Sequence, residues 1–170
     1  RMATLARQLG ATRVEAVATS AVRDASNADQ FVARVRQEAG LQIRVIGGED
    51  EARLSYLSAL AHFDLGAGRT VVMDIGGGSL ELALAADGVL EDLVSFPFGA
   101  LRLTERYLRD GSTPKALRRL RRDVRDELRG VIARRDWRGA QVIGSGGTFT
   151  NLASIHLARH GMLAARNVHE

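Results

Sequence analysis

The residues with the most chemistry in them run Val71-Val72-Met73-Asp74-Ile75-Gly76-Gly77-Gly78-Ser79, an apolar segment that ends in an acid and enters three consecutive glycines. Glycines let the backbone approach a ligand closely, and successive exposed N–H groups form a concave anion nest. The pattern is not the dinucleotide fingerprint, whose glycines open a helix, since these lead into a second alternating run. It is not a P-loop either, because no Gly-Lys-Ser/Thr follows. A plain hairpin turn is the simpler explanation, but a turn needs one or two glycines and no acid at the strand end. Period-two alternation puts Leu80, Leu82 and Leu84 on one face and Ser79 and Glu81 on the other, so that Asp74 and Glu81 face one another across the glycines. Two carboxylates beside a phosphate nest repel the ligand unless a cation sits between them. Mg²⁺, held by carboxylates, water and phosphate oxygens, meets that need.

A second loop, Ile143-Gly144-Ser145-Gly146-Gly147-Thr148, follows a short apolar run and opens a helical pattern. Backbone amides and the helix dipole favour an anion there. Two such loops predict a ligand gripped from two sides, with Gly76, Gly77, Gly78 and Ser79 on one side and Gly144, Ser145, Gly146, Gly147 and Thr148 on the other. The acids of Gly47-Gly48-Glu49-Asp50-Glu51 open another helix. Acids in a first turn complement the helix dipole; in a cleft, one of them also serves as general base on water. Ala18-Thr19-Ser20-Ala21-Val22-Arg23 reads as a strand end with small polar groups and an arginine suited to clamping phosphate. His156 and His160 stand at i and i+4 without the glutamate or third ligand of a zinc site, and His156 is expected to pack beside Phe149 and Leu152. The arginines between Arg118 and Arg135 lie mostly opposite an apolar stripe and among Asp123, Asp126 and Glu127, as on a solvated helix face.

Strands and helices must alternate to hold these loops in place. Strands are expected at Val14–Thr19, Leu41–Ile46, Arg69–Ile75, Ser79–Ala85, Val89–Phe96 and Gln141–Gly144, with Asp87-Gly88 joining a hairpin. A helix follows the capping-box-like Asn27-Ala28-Asp29-Gln30 and stops at Gly40. Another spans Glu49 to about Phe63, with Leu54, Leu57 and Leu60 or Ala61 inward. Leu101–Leu108 and Thr148–Arg159 are helical. Thr113-Pro114 starts a long helix whose stripe is Leu117, Leu120, Val124, Leu128 and Val131. The alternation defines an α/β architecture with a boundary near Gly66–Arg69, hence expected domains 1–68 and 69–170.

The 170 residues are 45% hydrophobic and 26% charged, which excludes a disordered or fibrous chain. No run reaches the ~18 apolar residues of a bilayer span, and none resembles a signal peptide. Zero cysteines exclude disulfides, thiolate catalysis and Cys-bound metals, and the expected address is cytoplasmic. Net charge is +4, and Lys115 is the sole lysine among 24 basic residues, a bias toward the better bidentate phosphate partner. The eight aromatics do not interleave with basic clusters as a base-stacking platform requires, so neither nucleic acid nor membrane is an expected partner.

Five segments in order resemble the exopolyphosphatase / guanosine pentaphosphate phosphohydrolase (Ppx/GppA phosphatase) family, which lies within the actin-like ATPase superfamily. They are Ala18 to Asn27, Val45 to Arg53, Asp74-Ile75-Gly76-Gly77-Gly78-Ser79-Leu80-Glu81-Leu82, Pro97-Phe98-Gly99-Ala100-Leu101-Arg102-Leu103 and Gly144-Ser145-Gly146-Gly147-Thr148. The resemblance implies an actin-like (ribonuclease H-like) α/β fold. It also implies Mg²⁺-assisted hydrolysis of the terminal phosphoanhydride of inorganic polyphosphate or guanosine pentaphosphate. It makes Glu51 the catalytic base, Asp74 and Glu81 the metal-associated acids, Arg23 a phosphate partner and both glycine loops the phosphate channel. Family members are commonly homodimers. Here Gly47-Gly48 replaces Ser-Gly, Asp50 replaces Glu, and Leu80 replaces Thr. The family's first phosphate loop does not precede Arg1, and the chain stops near Val168-His169, so a fragment spanning parts of two lobes is expected. The rival readings are a kinase or ATPase of the same superfamily and a non-catalytic module binding a polyanion or guanine alarmone.

Overall fold

The computed structural model describes residues 2–65, 67–133 and 138–162. Contacts group the chain into two compact units, Arg1–Glu51 and Ala52–Glu170. Gly66, Arg134 and Arg135, which figure in the sequence reading, lie outside the described residues. Among the described residues no helix is long and apolar enough to cross a membrane.

The first unit contains α1 (Met2–Gln8), β1 (Ala16–Ala18), α2 (Ser20–Arg23), α3 (Ala28–Ala39), β2 (Ile43–Val45) and the first turn of α4 (Gly48–His62). β1 and β2 pair in parallel, Ala16 opposite Ile43 and Ala18 opposite Val45, with α3 in the connection, as parallel neighbours require. α3 stops where Gly40 turns left-handed at φ 62°. Its N-cap is Asn27, but φ −110° and ψ 23° differ from the usual extended cap, and the Asn27 side chain makes no capping bond. After β1 the chain does not continue as a strand end. The Thr19 carbonyl accepts from the amides of Val22 (3.0 Å) and Arg23 (2.9 Å), so this segment coils into α2.

The second unit holds the rest of α4, then β3 (Arg69–Ile75), β4 (Leu80–Ala86), β5 (Val89–Phe96), α5 (Ala100–Tyr107), α6 (Pro114–Val131), β6 (Gln141–Ser145) and α7 (Gly146–Arg159). The sheet order is β5-β4-β3-β6. β3, β4 and β5 form an antiparallel meander, and β6 runs parallel to β3. Asp87 (φ 50°) and Gly88 (φ 76°) make the β4–β5 turn with both central residues left-handed, the hairpin turn that matches strand twist. Glu81 apart, β4 is apolar on both faces because both are covered. One face, with Val72, Ala83, Ala85 and Ile143, meets Tyr56 and Ala59 of α4 and Leu65. The other, with Val71, Leu82 and Phe96, meets Leu103 of α5, Val124 and Leu128 of α6, and Ile132.

α4 does not turn its leucines inward. Leu54, Leu57 and Leu60 are exposed, while Ala52, Tyr56 and Ala59 are buried. Small side chains let the helix approach the sheet closely, and Tyr56 spans the gap, its hydroxyl donating to Gly88 O at 3.0 Å. α6 begins as expected: Thr113 caps it by accepting from the Ala116 amide, and Pro114 follows in the first turn. Its stripe ends early, with Val131 exposed and Ile132 buried in its place. α5 and α6 are joined by the Tyr107 hydroxyl donating to Asp123 at 3.1 Å. Burial, then that bond to Asp123, pushes the Tyr107 phenol up. The bond from Arg122 is the largest influence holding Asp123 below the usual carboxylate range.

Candidate functional site

A row of polar residues crosses one face of the second unit's sheet. Asp74 on β3 pairs with Glu81 on β4 and with Ser145 on β6, and Glu81 pairs with Ser95 on β5. Residues opposite one another in a sheet share a face, so Ser95, Glu81, Asp74 and Ser145 stand in line. Each carboxylate is steadied by a hydroxyl: Ser55 of α4 donates to Asp74 Oδ2 at 2.9 Å, and Ser95 donates to Glu81 Oε1 at 2.9 Å. Glu81 is only 2% exposed, whereas Asp74 is partly open. The expected meeting of the two acids is realised as a direct cross-strand pair.

This pairing depends on an irregularity in the hairpin. Ala85 pairs with Leu90, but Leu84 pairs with Asp92, leaving Glu91 as an extra residue. A bulge of this kind shifts the register by one. Without it Val94 would stand opposite Glu81, and a one-residue slip exchanges the faces of a strand.

The glycine loop follows β3 directly. The Gly76 amide is taken up by Ser79 O at 3.1 Å. The carbonyls of Gly76 and Gly77 accept from the first amides of α5: Ala100 to Gly76 at 2.9 Å, and Leu101 and Arg102 to Gly77 at 3.0 and 3.1 Å. Among the described residues, nothing accepts from the amides of Gly77, Gly78 and Ser79.

The second loop begins at the end of β6. Gly144 makes room for the Phe149 ring, which would overlap a Cβ there. Gly146 is left-handed at φ 86°, and a Cβ on it would lie 2.6 Å from Asp74 Oδ1 and 2.9 Å from Ile75 O. The Thr148 hydroxyl donates to Ile75 O at 3.3 Å. Ser145 is the N-cap of α7 and makes no side-chain capping bond, and Gly146, Gly147 and Thr148 form the first turn of that helix. Helix starts leave their first amides without an intrahelical acceptor, and the dipole adds positive potential. Both loops sit at the carboxyl ends of adjacent parallel strands, where α/β sheets bind ligands.

In the first unit, the residues that follow the two parallel strands also meet. Arg23 donates to Glu51 Oε2 at 3.2 Å and to Ile46 O at 2.9 Å. Arg23 thus holds Glu51 and the chain before α4, a role that the expectation of a free phosphate clamp did not contain. Both side chains are about three-quarters buried, with exposures of 24% and 21%. Ser55 and Ser95 are site-related residues that no sequence motif marks, whereas Gly99 stands within the Pro97–Leu103 segment without a role assigned to it. Ser55 had a signal, since it lies one helical turn after Glu51. His156 does not pack as expected; it is exposed, and its ring lies tilted against that of His160, with centroids 4.3 Å apart.

Asp74 and Glu81 have the donor chemistry for Mg²⁺, which commonly takes one or two carboxylates and completes its shell with water and substrate phosphate. Asp74 Oδ2 is oriented by Ser55 while Oδ1 lies beside Gly146, so the residues fit the ion. Among the described residues no third His, Cys, Asp or Glu joins them.

Residues 1–169 match the model of the Ppx/GppA phosphatase family. Exopolyphosphatase 1 of Mycobacterium bovis is 38% identical over 149 residues, covering 88% of this chain and 40% of that protein. Exopolyphosphatase 1 of Mycobacterium leprae is 46% identical over 101 residues, 59% of this chain and 30% of that protein. This chain therefore spans less than half the length of these curated relatives. The crystal structure of the Aquifex aeolicus Ppx/GppA family member superposes with a TM-score of 0.72 at 32% identity, covering 91% of this chain and 49% of that one. An exopolyphosphatase from Cytophaga hutchinsonii superposes at 0.79 with 27% identity, covering 93% and 51%. The mixed α/β fold and the family expected from the five motifs are thus both found, and the chain belongs to the Ppx/GppA phosphatase family.

Proposed function

We propose that the protein hydrolyses the terminal phosphoanhydride of inorganic polyphosphate, and of guanosine pentaphosphate, releasing phosphate. The observation that carries this reading is the set of unfilled amides at Gly77–Ser79 together with the helix start at Gly146–Thr148, at the ends of neighbouring parallel strands beside Asp74. A row of anionic oxygens is the ligand such donors accept. The names of the mycobacterial relatives point to the same substrate class.

Phosphoryl transfer asks a protein mainly for positioning and charge stabilisation. The two amide sets bind terminal phosphate oxygens. Asp74 and Glu81 would hold Mg²⁺, which when bound neutralises phosphate charge. Ser55 and Ser95 fix those carboxylates. Glu51 takes a proton from the attacking water, and Arg23 orients it through a charge-assisted bond. The test is phosphate release from each substrate by the intact protein with Mg²⁺. Release from both supports the reading. Release from neither, with saturable binding of the same compounds, would replace it with the non-catalytic binding module.

A further inference from the structure

We infer that the start of α5, Gly99 to Arg102, is a positioning strut that aims the amides of the glycine loop at the ligand; this rests on the phosphate-binding reading of that loop. A trans peptide unit is planar, and its C=O and N–H point in opposite directions. The Gly76 carbonyl shares a unit with the Gly77 amide, and the Gly77 carbonyl shares one with the Gly78 amide. Ala100 binds the first carbonyl at 2.9 Å, and Leu101 and Arg102 bind the second at 3.0 and 3.1 Å. Holding both carbonyls toward α5 turns the N–H groups of Gly77 and Gly78 away from it. Those are amides with no acceptor among the described residues.

Gly99 explains how the helix comes so near. A Cβ there would overlap Gly77 C and O and Gly78 N, so only glycine admits this backbone-to-backbone approach. Its φ of −65° and ψ of 152° are extended values open to any residue. The requirement for glycine is one of space, not of dihedral angle. Three consecutive glycines without the strut would have many conformations, with no fixed direction for their donors. Gly99 to Arg102 therefore act on the phosphate site through the loop backbone.

Ala100→Pro tests this cleanly. Proline is well tolerated at the first helical position, and the extended Gly99 suits a following proline. The substitution keeps the helix, deletes the donor to Gly76 O and sets a methylene against it. The probe is inorganic tripolyphosphate, titrated into the ¹⁵N-labelled intact protein while the Gly77 and Gly78 amide resonances are followed. The wild type is expected to show saturable shifts of both. In Ala100→Pro, affinity is expected to fall about tenfold, the scale of one hydrogen bond to a charged group, and the Gly77 shift to shrink, at unchanged melting temperature. Equal affinity with equal shifts would overturn the strut and leave the phosphate reading standing. No binding by the wild type would overturn the phosphate reading, and the strut's purpose with it. Should Ala100→Pro lose its fold, Gly99→Ala gives the same comparison, its methyl wedging α5 off the loop; wild-type affinity there would refute the strut.

Discussion

Gly146 is the residue whose replacement the geometry predicts most sharply. It is left-handed at φ 86°, where a side chain is strained regardless of space, at a cost of about 1–2 kcal/mol. An added methyl would also stand 2.6 Å from Asp74 Oδ1 and 2.9 Å from Ile75 O. The Ile75 carbonyl belongs to a strand paired with β4 and cannot yield cheaply, so the overlap adds an overpacking penalty of about 1–3 kcal/mol. Gly146→Ala should therefore lose about 2–5 kcal/mol in urea unfolding, roughly 5–15 °C in melting temperature. Gly147→Ala is the control. A Cβ there meets nothing within 4 Å, and its φ is not positive, so alanine should be neutral or slightly stabilising. A Gly146→Ala stability within about 0.5 kcal/mol of wild type, the range of ordinary surface changes, would refute the reasoning, as would equal damage from Gly147→Ala.

Ser55→Ala removes the hydroxyl that orients Asp74 and should raise the Mg²⁺ concentration for half-maximal phosphate release by about 10- to 100-fold, the scale of an outer partner of a metal ligand; an unchanged Mg²⁺ titration would contradict the assignment. The Tyr107 phenol, raised chiefly by burial and next by its bond to Asp123, should ionise above the ordinary phenol range in an NMR titration and move back down in Asp123→Asn. Stability from this phenol is present below the ordinary value and is lost as pH rises through the raised one. For Asp123, held low chiefly by Arg122, the sign is opposite: its contribution is lost as pH falls through the depressed value. Chemical denaturation at several pH values checks both signs.

The second unit was largely legible in the sequence, because its signals are local. Alternation from Arg69 to Phe96 and the Asp87-Gly88 turn specify the meander, and Thr113-Pro114 specifies the start of α6. The glycine runs mark both loops. What the sequence hid depends on tertiary packing. Leucines outrank alanines in hydrophobicity and so point to the wrong face of α4, where close approach to the sheet favours Ala52 and Ala59. The pairing of Glu81 with Ser95 needs a bulge at Glu91 that no residue type announces. α1, of seven residues, carries too short a pattern to stand out. The bond between Arg23 and Glu51 joins residues 28 apart in sequence and needs the turn of α2, which reads in sequence as a strand end. Three consecutive glycines mark the loop amides as a group, but the use of the Gly76 amide by Ser79 and the hold of α5 on the loop carbonyls depend on tertiary contacts.

The most direct test of the proposed chemistry is phosphate release from polyphosphate by the intact protein in ¹⁸O-labelled water, comparing wild type with Glu51→Gln. Each phosphate released by the wild type should carry one solvent oxygen, and the variant should be slower by about 10²–10⁴-fold, the contribution of a general base. Wild-type turnover in Glu51→Gln, or released phosphate without the label, would contradict the account.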